Sequence, residues 1–202
     1  MKSKWLVPGI VVGVIALVLM WVGGTYNGLV TSRETVTKSA SDLQSQYQRR
    51  ADLVQQAVAV VKGSADFEKS TLESVVAARA KATSTSIDIS KATPEQIQQY
   101  QAAQSEMSSA FSRLLVTVEQ YPDIKSTQAF KDMLAQVEGT ENRINIARTD
   151  YNEVARAYNT KIQTVPTSMI AGMFGFTKSN YFESEKGVEK APQIDFGNKA
   201  TQ

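Results

Sequence analysis

The chain contains neither cysteine nor histidine. That excludes disulfides, thiolate nucleophiles, imidazole bases and the Cys/His zinc sites of structural and catalytic domains. A serine nucleophile would need a lysine or a carboxylate as its base. The same absence leaves the redox compartment open, since a cysteine-free domain can live on either side of a membrane. Net charge is also small, +2 over 202 residues, which gives no basic footprint for nucleic acid.

Charge is missing altogether from one long stretch. From Trp5 to Val22 every residue is apolar, a proline or a glycine, and the first charge after Lys4 is Arg33. About 20 residues of helix cross roughly 30 Å of hydrocarbon, and Trp5 and Trp21 bracket the run where aromatic rings favour the headgroups. A cleaved signal peptide is the competing reading, with Lys2 and Lys4 as its n-region and Val22-Gly23-Gly24 as its cleavage site. The run exceeds the about 7 to 15 apolar residues of such a segment, and no A-x-A site follows, so the stretch reads as an uncleaved anchor. Lys2 and Lys4 lie closer to it than Arg33 and Lys38 do, and the positive-inside rule then leans to an inward N-terminus with an extracytoplasmic domain.

Past the anchor, apolar residues recur at three- and four-residue steps: Tyr26, Leu29, Val36, Ala40, Leu43, Tyr47, Val54, Ala57 and Val61, with Arg33 and Arg50 in the gaps. With no proline inside the seam, it predicts one helix to Lys62, stopped by Gly63 and continuous with the span. A second helix is expected from a cap at Ser64, carrying Phe67, Leu72, Val75, Val76 and Ala82 and fading in Thr83–Ser86. A third is expected from about Pro94, capped by the residue before it, to Gln120, before the turn signal Tyr121-Pro122-Asp123. A fourth opens at Ser126 or Thr127, repeats the seam of the first helix and closes at Pro166. The class is all-α: an N-terminal transmembrane helix continuous with a long antiparallel four-helix bundle. Residues 1–4 form a short flank, 5–24 the transmembrane helix, 25–166 the bundle, and 167–202 a tail.

If the first helix leaves the membrane and the fourth returns to it, Arg50 stands about level with Glu141 and Arg33 with Tyr151–Tyr158. Pairing of Arg50 with Glu141 would fix helix register; a carboxylate held for binding or catalysis is the alternative. Arg148 lies on the same seam. The dipeptide Tyr-Asn occurs at Tyr26-Asn27, Tyr151-Asn152 and Tyr158-Asn159, and the first and third should meet at the membrane end, each tyrosine hydroxyl finding an asparagine partner or lining a ligand site. No acid stands in the Glu-x-x-His pattern of bundle di-iron centres, so no metal or other cofactor is expected. The early tail crowds Met169, Ile170, Met173, Phe174, Phe176, Tyr181 and Phe182 around Gly172 and Gly175. It is expected to pack at the membrane end of the bundle, capping it or dipping into the headgroups. From Gly187 the tail should be loosely ordered, except at Pro192–Phe196.

The ordered series Tyr26-Asn27-Gly28-Leu29-Val30, Gln48-Arg49-Arg50 with Asp52-Leu53-Val54, Glu119-Gln120-Tyr121-Pro122-Asp123, Glu141-Asn142-Arg143-Ile144, Tyr158-Asn159-Thr160-Lys161 and Ala171-Gly172-Met173-Phe174-Gly175-Phe176 resembles the LemA family of single-pass bacterial membrane proteins, over about Tyr26 to Phe196. The chain departs from the family at Gln55-Gln56, where proline and asparagine are usual, and at Asp66-Phe67, where a histidine often stands. The resemblance implies an anchored antiparallel bundle and no established reaction. It also implies a short N-terminus outside the cell, against the charge argument. The expectation is a non-enzymatic scaffold or adaptor of the bacterial envelope in the cytoplasmic (inner) membrane. Its partners would be the lipid bilayer, other envelope proteins or further copies of itself, with no nucleic acid and no evident small-molecule substrate. The alternative is a lipid-organising protein acting through self-assembly and Phe174 and Phe176, and the third reading is an unrecognised hydrolase.

Overall fold

The computed structural model describes residues 6–63, 67–85 and 87–183, the side chain of Leu6 excepted. Trp5, the Ser64 cap and its neighbour Asp66, and the expectations for Gly187 onward and Pro192–Phe196 lie outside the described residues. Among those described, all regular structure is helical: α1 Leu6–Lys62, α2 Lys69–Ser84, α3 Pro94–Val118, α4 Pro122–Lys125, α5 Gln128–Gln163 and α6 Thr167–Met173.

Helix α1 runs 57 residues without a break. Its first third is apolar and exposed from Val7 to Trp21, the one helix among the described residues long and apolar enough to cross a membrane. Beyond it the seam turns inward, and Leu29, Val36, Ala40, Leu43, Tyr47, Val54, Ala57 and Val61 are all buried. The outer face is rich in serine and threonine, poor helix formers that compete for backbone partners. Here Thr31, Ser32, Thr35, Thr37, Ser41 and Ser45 each donate to the carbonyl four residues back, so the competition is resolved within the helix.

Helix α5 returns antiparallel along α1. Lys161 Nζ donates to Gly28 O at 2.6 Å and Ser32 Oγ at 2.9 Å near the membrane end, and Arg49 Nη2 donates to Gln136 Oε1 at 3.0 Å farther up. A Cβ at Gly28 would stand 3.2 Å from Lys161 Nζ, so the lysine tip lies close against the α1 backbone there. Helices α2 and α3 form the other pair. Thr93 and Gln96 make a reciprocal capping box before Pro94, and Thr127 caps α5 through Phe130 N.

Several boundaries differ from the sequence reading. Helix α2 starts at Lys69, with Glu68 at the cap position making no side-chain cap bond, so Phe67 is buried ahead of the helix rather than on it. Helix α3 stops at Val118, and the Tyr121-Pro122-Asp123 segment caps and opens the single-turn helix α4. Helix α5 ends at Gln163, which leaves Val165 outside the seam and 76% exposed.

Candidate functional site

The buried apolar residues form two clusters. One runs from Leu29 to Tyr47 on α1 with Tyr100, Ile144, Tyr151, Tyr158 and the tail, and the other runs from Ala51 to Val61 with α2, Met107–Val118 and Phe130–Val137. Arg50 sits at the step between them. Its side chain is only 7% exposed; Nη1 donates to Ser108 Oγ at 2.8 Å and to Glu141 Oε1 at 3.2 Å, while Nη2 donates to Gln104 Oε1 at 2.6 Å and Gln104 O at 3.2 Å. The guanidinium also lies 5.2 Å from the Tyr47 ring centroid, a favourable cation–π distance. A buried cation is tolerable only with such partners. Glu141 is 41% exposed, so the pair is lopsided: arginine in the core, carboxylate at its edge.

That edge opens into a cleft of about 520 Å³ between α3 and α5. Gln98, Gln101, Gln104 and Ser105 line it from α3; Glu141, Asn145 and Arg148 line it from α5. Arg148 is half-buried, with Nη2 donating to Asn145 Oδ1 at 3.2 Å. Burial raises the Tyr100 hydroxyl pKa beside this layer, and the nearby Tyr47 adds to the effect. The lining offers hydrogen bonds and charge but, among the described residues, no group of three or more acids gathered to hold a metal.

The Tyr-Asn pairs fall differently from the simple pairing expected. Asn159 and Asn152 do not serve the hydroxyls of Tyr26, Tyr151 or Tyr158; both turn to the tail. Asn159 Nδ2 donates to Ser179 O and Tyr181 Oη, and Asn152 Nδ2 donates to Phe182 O. Tyr151 is fully buried, and its hydroxyl donates to Asn180 O at 2.9 Å and Ile89 O at 3.3 Å. Burial pushes its pKa up to about 12. The Tyr158 hydroxyl is buried with no hydrogen-bond partner among the described residues. Asn27 is exposed and, among the described residues, contributes only its carbonyl, to Thr31.

At the membrane end, Tyr26 is partly exposed and packs its ring on Phe174 at 4.9 Å and Phe176 at 5.8 Å. Arg33 covers the other side of Phe176, 5.2 Å from its ring centroid, and also stands 4.0 Å from Glu34. Phe176 is therefore core, whereas Phe174 is 49% exposed beside Met169 and Met173 at 70% and 74%. The tail then leaves the membrane end and climbs along α5, a course the pattern of residues after Gly175 did not disclose. Gly175 makes the turn: with φ +71° it occupies the left-handed position after α6, and Phe176 N donates to Ala171 O while Gly175 N donates to Gly172 O, a Schellman closure.

The LemA family model matches residues 39–196. The chain is also similar to magnetosome protein MamQ 2 of Paramagnetospirillum magneticum, 39% identical over 85 residues, covering 42% of this chain and 31% of that protein. MamQ of Magnetospirillum gryphiswaldense is 35% identical over the same shares. Protein LemA of Metamycoplasma hominis is 26% identical over 148 residues, 73% of this chain and 64% of that one. The chain thus spans 31% of the length of the MamQ relatives it matches. The family match covers most of the chain, from the middle of α1 through the tail, and the chain belongs to the LemA family.

Proposed function

We propose that this protein is a non-enzymatic scaffold of the bacterial cytoplasmic membrane, presenting its bundle to envelope proteins on the extracytoplasmic side. The observation that carries this reading is the unbroken helix α1, Leu6–Lys62. A span that passes into the bundle without a linker transmits orientation as well as attachment, which is what an adaptor needs and a tethered enzyme does not. Val76, Val116 and Ile146 are exposed on three outward faces of the bundle and give one probe position on each.

Photo-crosslinking in intact bacteria, with the reactive group at each of those positions in turn, tests it. Discrete protein adducts from one face, lost when charges beside that face are reversed, are the expected result. Adducts to lipid alone, or no protein adduct from any of the three faces, would refute it.

A second reading has its own observation. Met169, Met173 and Phe174 are exposed on and just after α6, which packs against α1 beside Tyr26, about where α1 leaves the bilayer. An apolar face at that depth suits insertion among headgroups, and a protein that organises lipid would act through it.

A further inference from the structure

Acids and bases are nearly equal in the whole chain, 20 against 22, but not where the bundle meets the membrane. Two described segments make up that end: residues 22–33 of α1, and residues 156–182 of α5, α6 and the tail. Their charged residues are Arg33, Arg156, Lys161 and Lys178, all exposed, and none is acidic. The acids nearest in sequence are Glu34, Glu153 and Glu183. Glu34 stands 4.0 Å from Arg33, while Asp88, in the turn between α2 and α3, pairs with Lys91. Arg156, Lys161 and Lys178 have no acidic partner among the described residues.

The fold sets the height of these cations. About 20 helical residues cross the hydrocarbon, which counted from Leu6 ends at Thr25. Lys161 Nζ, held by Gly28 O and Ser32 Oγ, stands level with a point three residues farther. That is about 4.5 Å above the hydrocarbon, inside a headgroup layer about 5 to 7 Å deep. The two bonds use two of the three ammonium hydrogens, which leaves one to donate outward. Lys178 is at a similar height, because Ser179 beside it is clamped by Asn159, two residues from Lys161. Arg33 is eight residues past Thr25, about 12 Å, and Arg156 lies five residues up α5 from Lys161. Both are within a Debye length, about 8 to 10 Å, of the lipid phosphates. On the bilayer side of this collar, Met169, Met173 and Phe174 are exposed. Apolar groups, then cations, with no acid among them, match an anionic phospholipid read from acyl chain to phosphate.

We propose that the membrane end of the bundle selects anionic phospholipids, with Lys161 and Lys178 taking headgroup phosphates and Arg33 and Arg156 adding attraction from above. A zwitterionic lipid carries its own cation beside the phosphate, whereas an anionic one has none, so the collar discriminates between them. The apolar half of the site rests on the interfacial reading of α6, and the proposal names the lipid that reading left open.

Trp21 reports on the bundle-side leaflet whether or not α6 inserts. The full chain with Trp5→Phe is reconstituted in phosphatidylcholine vesicles containing a minor fraction of phosphatidylglycerol, with bromine on the acyl chains of one lipid or the other. Quenching of Trp21 should show about a fivefold preference for phosphatidylglycerol over random mixing, erased by high salt. Lys178→Gln with Arg156→Gln removes two side chains that make no hydrogen bond or ion pair among the described residues, and should lower the preference. Adding Lys161→Gln should abolish it. Lys62→Gln with Lys131→Gln, at the far end of the bundle, should leave it unchanged. Quenching in proportion to composition in the parent would overturn the proposal. So would a preference that survives the triple variant, and so would an equal loss in the far-end variant, which would report net charge rather than position. The reading of α6 fails separately: an unquenched Phe174→Trp, in protein lacking Trp5 and Trp21, with the preference at Trp21 kept, would remove the insertion of α6 and support the basic collar as the lipid-selecting element.

Discussion

Arg50 is held by three residues at once, and its energetics follow from how unequally the layer is buried. Removing it strands the Gln104 side chain inside, so Arg50→Ala should cost about 3 kcal/mol. Glu141→Gln, at a position water still reaches, should cost about 1 kcal/mol. Urea unfolding in detergent measures both. The matched exchange Arg50→Glu with Glu141→Arg should not recover the loss, since a carboxylate at position 50 would face Gln104 O, another acceptor. Tyr151 supplies a pH signature. Its folded pKa of about 12 exceeds the unfolded value of about 10, so the folded state keeps a proton that the unfolded chain releases. Its contribution is intact below about pH 10 and fades as pH rises through the folded value. Tyr151→Phe should therefore lose less stability than the parent between those limits. The meeting of Arg50 with Glu141 was legible from the seam, because equal steps along two antiparallel helices set their level. Gln104 and Ser108 were not, because α3 carries no seam charge that would point to its register.

At the scale of elements, periodicity disclosed the long helices and chain chemistry disclosed their starts. Thr93 ahead of Pro94, with Gln96 three residues on, was readable as a cap, and Thr93→Ala should lower stability by about 1 kcal/mol. The tail was harder. Its packing rests on asparagine–backbone bonds between segments up to 30 residues apart, and backbone carries no sequence signal at the receiving end. The three Tyr-Asn pairs were visible as a repeat, but what Asn152 and Asn159 face depends on where the tail runs. The aromatic crowding at α6 was also visible, though not its division into Phe176 inside and Phe174 outside. A tryptophan reporter separates the two in otherwise tryptophan-free protein: Phe174→Trp should be quenched by brominated lipid and Phe176→Trp should not. Equal quenching at both positions would remove the interfacial role of α6.

At the scale of the whole molecule, α1 carries the apolar segment and the bundle on one unbroken helix. The side of the membrane is tested at Ser126, exposed in the turn between α4 and α5. In this cysteine-free chain Ser126→Cys should be labelled by an impermeant thiol reagent in intact cells, and protection until lysis would place the bundle in the cytoplasm. The central claim, that the bundle projects upright from the membrane along a continuous helix, is tested most directly by the height of Lys62. From Thr25 to Lys62 a straight helix rises about 55 Å. Energy transfer from a fluorophore on Lys62→Cys to acceptors at the bilayer surface should report a height near that value in nanodiscs. A height below about 30 Å would mean that the bundle leans onto the lipid, and would contradict the account.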